Sequence, residues 1–199
     1  MNQNAWQVQS LLLSYPDDEL LDRLPLLRNV AARLPGRIGG PLTRFLIHAR
    51  STTLIELATQ YVATFDHHKR FSLYLTYFTH GDTRKRGLAL LRIKHAYRAG
   101  GLELGTGELP DHLAVVLEFA AVEPDAGQRL LIEHRAGLEL LRLGLREAAS
   151  PWADVLDSVS ATLPALVGRD EDAIARLVAA GPPEESVGLE PYGLTGVPR

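Results

Sequence analysis

Apolar side chains recur every three to four residues along most of the chain, a spacing that places them on one face of an α-helix. A first helix is predicted over residues 8–15, and Pro16 ends its pattern. Asp17 is positioned to cap a second helix that extends to about Leu34. Pro25 is expected to kink or divide that helix, because proline lacks a backbone donor and clashes with the preceding turn.

The next stretch combines a predicted loop with a long helical pattern. LPGRIGGP, residues 34–41, predicts a loop because glycine and proline interrupt regular helices. The helical pattern then extends from Leu42 to Phe65. Thr53 and Glu56 have the spacing of a capping box, which leaves open whether this stretch is one helix or two.

Residues 66–82 break the helical pattern. FSLYLTYFTHG, residues 71–81, is rich in aromatic and β-branched side chains that partly alternate, as they do in strands. Such a strand would have no partner among the surrounding helices. We therefore predict a short helix or an irregular packed segment.

The second half of the chain returns to helical periodicity. Helices are predicted from Asp82 or Thr83 to Gly100–Gly101, from Asp111 through Val122, from Pro124 to about Ala149, from Pro151 onward, and over Asp170–Ala180. Residues 1–180 are therefore expected to form a single all-α domain, a helical bundle. The Gly/Pro-rich residues 181–199 are expected to form a flexible tail.

Two charged positions in these helices have consequences for packing. Arg135 and Glu139 form an i,i+4 pair that is expected on a more polar face. Glu118 lies within VVLEFAAV, where burial of an unpaired carboxylate is costly. Glu118 is interpreted first as half of a buried ion pair with an arginine of the helix that begins at Arg84, and second as a polar anchor beneath a binding groove.

Composition narrows the functional classes. The 199 residues carry a net charge of −3 and no cysteine, which argues against nucleic-acid binding and excludes disulfides and thiolate chemistry. The basic run 84–98 is interpreted as a solvated face, with nucleic-acid binding as its rival. The first basic residue is Arg23, and no apolar run approaches the ~18 residues of a membrane span. A cytoplasmic protein without membrane insertion is predicted.

Motifs for enzymatic chemistry are missing from the sequence. It has no Walker loop, dinucleotide fingerprint, HExxH motif or G-x-S-x-G elbow. His80-Gly81-Asp82 and Asp111-His112 could form acid–base pairs, but both aspartates are interpreted as helix N-caps. A histidine/carboxylate metal site in a helical bundle, or an enzyme built on one, remains the alternative function.

The middle of the chain nevertheless resembles a known family. YLTYFTHGDTRKRG (74–87) and ELPDHLAVVLEF (108–119) resemble the NarJ-type respiratory nitrate reductase assembly chaperones of the wider TorD/DmsD redox-enzyme maturation group. LLSYPDDELL (12–21) and GPPEESVGLEPY (181–192) are similar to the same family. Phe78 stands where a tyrosine is expected.

This resemblance implies a TorD-like all-helical chaperone with no catalytic activity. The implied partner is the N-terminal peptide of the nitrate reductase catalytic (alpha) subunit, held in the cytoplasm for molybdenum cofactor insertion and membrane docking. The cofactor, molybdopterin guanine dinucleotide, is inserted into the partner and is not expected to be bound stably by the chaperone. Cofactor-insertion proteins are further candidate partners.

The resemblance and the aromatic pattern together predict a peptide groove between the 61–82 region and the helix 111–118. An amphipathic helix would be contacted there at i, i+3, i+4 and i+7, and acidic positions such as Asp66 and Asp82 would meet its basic residues. The predicted peptide-binding residues are Tyr61, Phe65, Asp66, Tyr74, Tyr77, Phe78, Thr79, His80, Asp82, Arg84, Asp111, His112 and Glu118.

Overall fold

The computed structural model describes residues 2–81, 83–105 and 107–180, without the side chains of 169, 170, 173, 178 and 180. Within these residues the fold is all-α, and the only β-type pairing is one isolated β-bridge. The helices are α1 (Gln3–Leu13), α2 (Asp18–Ala31), α3 (Gly36–Arg50), α4 (Leu54–Phe65), α5 (Tyr77–His80), α6 (Arg84–Ala99), α7 (Leu113–Val122), α8 (Pro124–Glu133), α9 (Arg135–Glu147), α10 (Trp152–Thr162) and α11 (Gly168–Ala180). None of the helices in this part of the chain combines the length and apolarity needed to cross a bilayer.

The core forms where α1 is enclosed by α7 and α10, and α10 also packs on α3 and α9. Trp152 of α10 is fully buried, and its indole N–H donates to the Leu12 carbonyl oxygen at 3.1 Å. The Trp6 indole N–H donates to the hydroxyl of Thr162 at 3.0 Å. These bonds give each buried indole N–H an acceptor, and they hold α1 against α10.

Local sequence signals set several of the helix boundaries. Asp17 caps α2 through a bond from the Leu20 amide at 2.8 Å, as predicted. Thr53 and Glu56 form the complete capping box, so the stretch left open as one helix or two is divided into α3 and α4. Pro25 does not divide α2, which is continuous from Asp18 to Ala31.

The glycine-rich stretch 34–41 was wrongly predicted as a loop. It is helical from Gly36, and Ile38 and Leu42 of the same helix are buried. A Cβ on Gly39 would lie 2.2 Å from the Ala31 carbonyl oxygen. The absent side chain is therefore what lets α3 approach the end of α2.

The single helix predicted from Pro124 to Ala149 is also wrong. It breaks at His134, whose φ of −99° and ψ of 17° separate α8 from α9. Gly127 faces α7, where an added Cβ would lie 2.2 Å from the Ala120 Cα. Close packing of α8 on α7 therefore sets its direction, and α9 turns away to pack on α10.

The aromatic stretch between α4 and α6 is an irregular packed segment, as predicted. A single 3₁₀ turn covers Lys69–Phe71, and the four-residue α5 follows. Leu73 and Leu75 are buried on either side of Tyr74, which is 37% exposed. The alternation seen in the sequence is therefore real, although its only bridge within the described chain joins Tyr74 to His112.

Candidate binding groove

Two adjoining cavities form a groove between α4, the 66–77 segment, the end of α1 and the start of α7. The first, here called the aromatic cavity, encloses about 240 Å³ and is lined by Tyr61, Phe65, Asp66, Lys69, Ser72, Leu73, Tyr74, Tyr77, Arg86 and His112. The second, the acidic cavity, encloses about 340 Å³ and is lined by Ser10, Ser14, Tyr15, Tyr61, Tyr74, Gly107, Glu108, Leu109, His112, Ala114, Val115 and Glu118. Tyr61, Tyr74 and His112 line both cavities, which therefore lie side by side.

Tyr74 and His112 form the wall between the two cavities. Their ring centroids are 5.3 Å apart with the planes nearly perpendicular, the edge-to-face geometry that aromatic pairs favour. Backbone bonds hold both residues in place: the Leu75 amide donates to the Asp111 carbonyl oxygen at 2.9 Å, and the Leu113 amide donates to the Leu73 carbonyl oxygen at 2.8 Å. The irregular segment is thereby attached to the chain that enters α7.

A buried polar cluster supports this wall from behind. The Asp111 carboxylate is fully buried, and its Oδ2 accepts from the Thr76 amide at 3.2 Å and from the Thr76 hydroxyl at 2.5 Å. The Arg86 guanidinium lies 3.6 Å from the same oxygen. Asp111 was predicted to be an N-cap, which is wrong: His112 precedes α7, without a side-chain capping bond. The carboxylate turns toward Thr76 because the irregular segment offers it both donors.

Tyr61 forms the floor shared by the two cavities. Its hydroxyl donates to the Leu13 carbonyl oxygen at 2.9 Å, and its ring lies 4.8 Å from that of Phe65 and 5.6 Å from that of Tyr15. Burial, reinforced by the nearby charge of Asp66, raises the pKa of the Tyr61 phenol. The phenol is therefore neutral at physiological pH, and its hydrogen-bonded ring presents a fixed apolar face to the groove.

His112 is held in its neutral form. Burial lowers the pKa of the imidazole, and the negative charges of Asp111 and Glu108 offset this only in part. A neutral imidazole has one donor and one acceptor nitrogen, so the wall between the cavities can exchange hydrogen bonds with a bound ligand without carrying charge.

Glu118 is exposed, so its predicted burial in an ion pair is wrong. Val116, Leu117 and Phe119 are buried around it, while the side chain of Glu118 lies on the rim of the acidic cavity. These apolar neighbours occupy the packed faces of α7, and the remaining face borders the acidic cavity. Glu108 lines the same cavity.

The remaining predicted residues lie away from the groove lining. Phe78 packs against the core beside Gly137 of α9, where an added Cβ would lie 3.0 Å from its ring. His80 lines a separate cleft of about 320 Å³ between α6 and α8. Thr79 and Arg84 are exposed and line neither cavity. Asp82 lies outside the described residues.

Sequence reasoning missed several groove residues. Tyr15, which is 56% exposed, and Arg86 are the most prominent. Tyr15 lies between the end of α1 and Pro16, and an aromatic residue just after a helix could have been identified from the sequence as a candidate binding residue. Arg86 looked like its basic neighbours, and no pattern in the sequence distinguishes it. In the described part of the chain, no three histidine or carboxylate side chains gather as a metal site would require.

Comparison with known proteins gives a consistent family. The model of the family described as nitrate reductase delta subunit matches residues 32–157. The chain is 34% identical to the probable nitrate reductase molybdenum cofactor assembly chaperone NarJ of Bacillus subtilis, over 81% of this chain and 89% of that protein. It is 32% identical to the chaperone NarJ of Escherichia coli K12, over 75% of this chain and 65% of that protein.

Two further likenesses concern a longer protein and a solved structure. The nitrate reductase-like protein NarX of Mycobacterium tuberculosis is 41% identical over 79% of this chain, which spans only 24% of that protein. A crystal structure of a putative redox enzyme maturation protein from Archaeoglobus fulgidus superposes with a TM-score of 0.61 at 24% identity, over 78% of this chain and 90% of that one. The latter shows the shared fold.

Proposed function

Because the chain belongs to the nitrate reductase delta subunit family, we propose that its groove binds the N-terminal segment of a nitrate reductase catalytic subunit. The family places the protein among assembly chaperones and not among enzymes. Binding holds the subunit while molybdenum cofactor is inserted and delays its docking at the membrane. Capture of one segment is sufficient for this role, and no covalent step is required.

The observation that carries the proposal is the pair of adjoining cavities separated by Tyr74 and His112. Side chains three or four residues apart on a helix lie about 5–6 Å from each other, so one helix face can place consecutive anchors in two adjoining cavities. Tyr61, Phe65 and Tyr77 give the aromatic cavity rigid apolar walls. Rigid aromatic walls bind an apolar anchor with little loss of side-chain entropy.

The charges around the groove favour a segment with basic residues. Asp66, Glu108 and Glu118 line the groove, while its cations are Lys69 and Arg86. Arg86 faces the buried carboxylate of Asp111, which offsets its charge. The groove is therefore net acidic, and binding should weaken with salt because exposed charges are screened over ~8–10 Å.

Titration of the full-length protein with the N-terminal peptide of the catalytic subunit tests the proposal. We expect saturable binding and a loss of about tenfold or more for Tyr74→Ala, as for a central aromatic anchor. Ile55→Ala is the matched control, because Ile55 is an 80% exposed apolar residue of α4 that lines neither cavity. Absence of binding to the wild-type protein at high micromolar peptide contradicts the proposal.

A charge pair refines the same experiment. Glu118→Gln should weaken binding at low salt and have less effect at high salt, because its carboxylate is on the exposed rim. Asp125→Asn removes an exposed carboxylate that lines neither cavity and should leave the salt dependence unchanged. Equal effects of the two variants would show that net charge, and not the acidic cavity, attracts the peptide.

A further inference from the structure

The dividing wall of the groove needs support, because Tyr74 is 37% exposed and its flanking leucines point into the core. The backbone bonds of Leu75 and Leu113 fix the main chain on either side of the wall. They do not fix the Tyr74 ring, whose orientation sets how wide each cavity opens. A side chain that contacts the ring therefore controls the shape of the groove.

Arg86 of α6 supplies that contact. Its guanidinium carbon lies 5.5 Å from the centre of the Tyr74 ring, a cation–π distance. Its Nε donates to the Thr76 hydroxyl at 3.2 Å, and its Nη2 lies 3.6 Å from Asp111 Oδ2. One planar group thus joins the exposed ring to the two fully buried partners behind it.

We infer that Arg86 is a positioning residue that fixes the Tyr74–His112 wall, and through it the spacing of apolar anchors that the groove accepts. The inference rests on the proposed function for its effect on affinity, but the geometry of the wall can be measured without any peptide. Arg86 acts through Tyr74: its side chain is only 17% exposed, and its partners besides that ring, Thr76 and Asp111, are fully buried.

The identity of the side chain matters because a lysine cannot reproduce these contacts. Guanidinium is planar and directs several donors at once, whereas an ammonium group is a compact charge on a flexible stem. Arg86→Lys therefore keeps a cation for Asp111 but cannot contact Tyr74, Thr76 and Asp111 at the same time. Arg84, two residues earlier, is separated by about 200° around the helix, is exposed, and lines neither cavity, so it is the natural control.

The first measurement uses the free protein. The ring resonances of Tyr74 and His112 are recorded by NMR in wild type, Arg86→Lys, Arg86→Met and Arg84→Met. We expect both rings to shift in the two Arg86 variants and to remain unchanged in the Arg84 variant. Unchanged rings in Arg86→Met would overturn the inference, whether or not a peptide binds.

The second measurement is a double-mutant cycle on peptide affinity, with thermal unfolding as the check on folding. Arg86→Lys is expected to weaken binding about tenfold in the wild-type background, between the values for an exposed and a desolvated cation–π contact. In the Tyr74→Ala background the same change should have almost no further effect, since contacting residues couple. An equal loss in both backgrounds would mean that Arg86 acts independently of Tyr74, and the inference would fail. If wild type binds no peptide, the proposed function fails while the NMR result still decides the role of Arg86.

Discussion

Two buried carboxylates in this protein are held in different ways, one far from the groove and one behind it. Glu139 of α9 is 1% exposed and has partners on both oxygens. The Ser160 hydroxyl donates to Oε1 at 2.7 Å, Arg135 Nη2 lies 2.9 Å from that oxygen, and Arg142 Nε donates to Oε2 at 2.6 Å. The Arg135–Glu139 pair predicted on a polar face is therefore buried, as part of a network that joins α9 to α10.

Asp111 is equally buried but incompletely bonded. Thr76 and Arg86 gather on Oδ2, and Oδ1 has no hydrogen-bond partner among the described residues. A buried carboxylate with partners on both oxygens rigidifies its surroundings, whereas an unsatisfied buried acceptor destabilises the state that contains it. The difference indicates that the Glu139 network maintains the fold, while the Asp111 cluster maintains the shape of the groove at some cost in stability.

Glu139→Ala should produce the largest loss of stability. It leaves Arg135, whose side chain is 8% exposed, and Arg142 without their shared carboxylate. Removing one partner of a buried ion pair costs about 3–5 kcal/mol, measurable by urea unfolding. Glu147→Ala is the control, because this carboxylate at the end of α9 is 77% exposed and lies 3.9 Å from Arg70. A similarly small loss in both variants would contradict a stabilising role for the buried Glu139 network.

Asp111→Asn should have a smaller effect on stability and a distinct effect on binding. The amide keeps an acceptor for Thr76 but removes the charge that faces Arg86, so we expect a loss of about 1–3 kcal/mol in the free energy of unfolding. Peptide affinity should fall as well, because the wall loses its support. Asp157→Asn disturbs the other network, where Asp157 pairs with Arg142 at 3.1 Å, and should reduce stability alone. A loss of affinity in both variants would contradict the division of roles.

Local signals predicted helix ends correctly where a neighbouring side chain caps the backbone. The Asp17 cap and the Thr53–Glu56 capping box satisfy backbone donors within one turn, so their effect is visible in sequence. Gly39 has the opposite role from the one predicted for it. Glycine was interpreted as a helix breaker, but here it allows two helices to touch, and this depends on a partner helix that periodicity does not identify.

The candidate site was predictable in its region but not in its individual contacts. Tyr61, Tyr74 and His112 meet across a separation of up to 51 positions, and their grouping was predicted from the resemblance to a family together with the aromatic pattern. Glu118 shows the limit of burial arguments: apolar neighbours in sequence did not surround it in space. Arg86 was missed because α6 carries several basic residues, and only the direction of its side chain distinguishes Arg86 from the others.

The smallest expected effect concerns two half-buried histidines and the dependence of stability and binding on pH. Burial lowers the pKa of both His112, at the groove wall, and His134, in the cleft between α6 and α8. The unfolded chain therefore binds protons more readily than the folded one. Stability should be constant above the ordinary histidine pKa of about 6.5 and should fall as pH drops below it.

The two histidines should differ in how binding responds to pH. A peptide that covers His112 buries the imidazole further and favours its neutral form, so affinity should fall as pH drops through the lowered pKa that His112 has in the free protein, despite the charges of Asp111 and Glu108 beside it. His112→Gln should make this decline in affinity shallower, whereas His134→Gln should leave it intact and alter only the decline in stability. Peptide titrations at a series of pH values measure both. If His134→Gln changes the pH dependence of affinity as much as His112→Gln does, that dependence reflects the stability of the whole fold. Protonation of His112 in the groove would then not control binding.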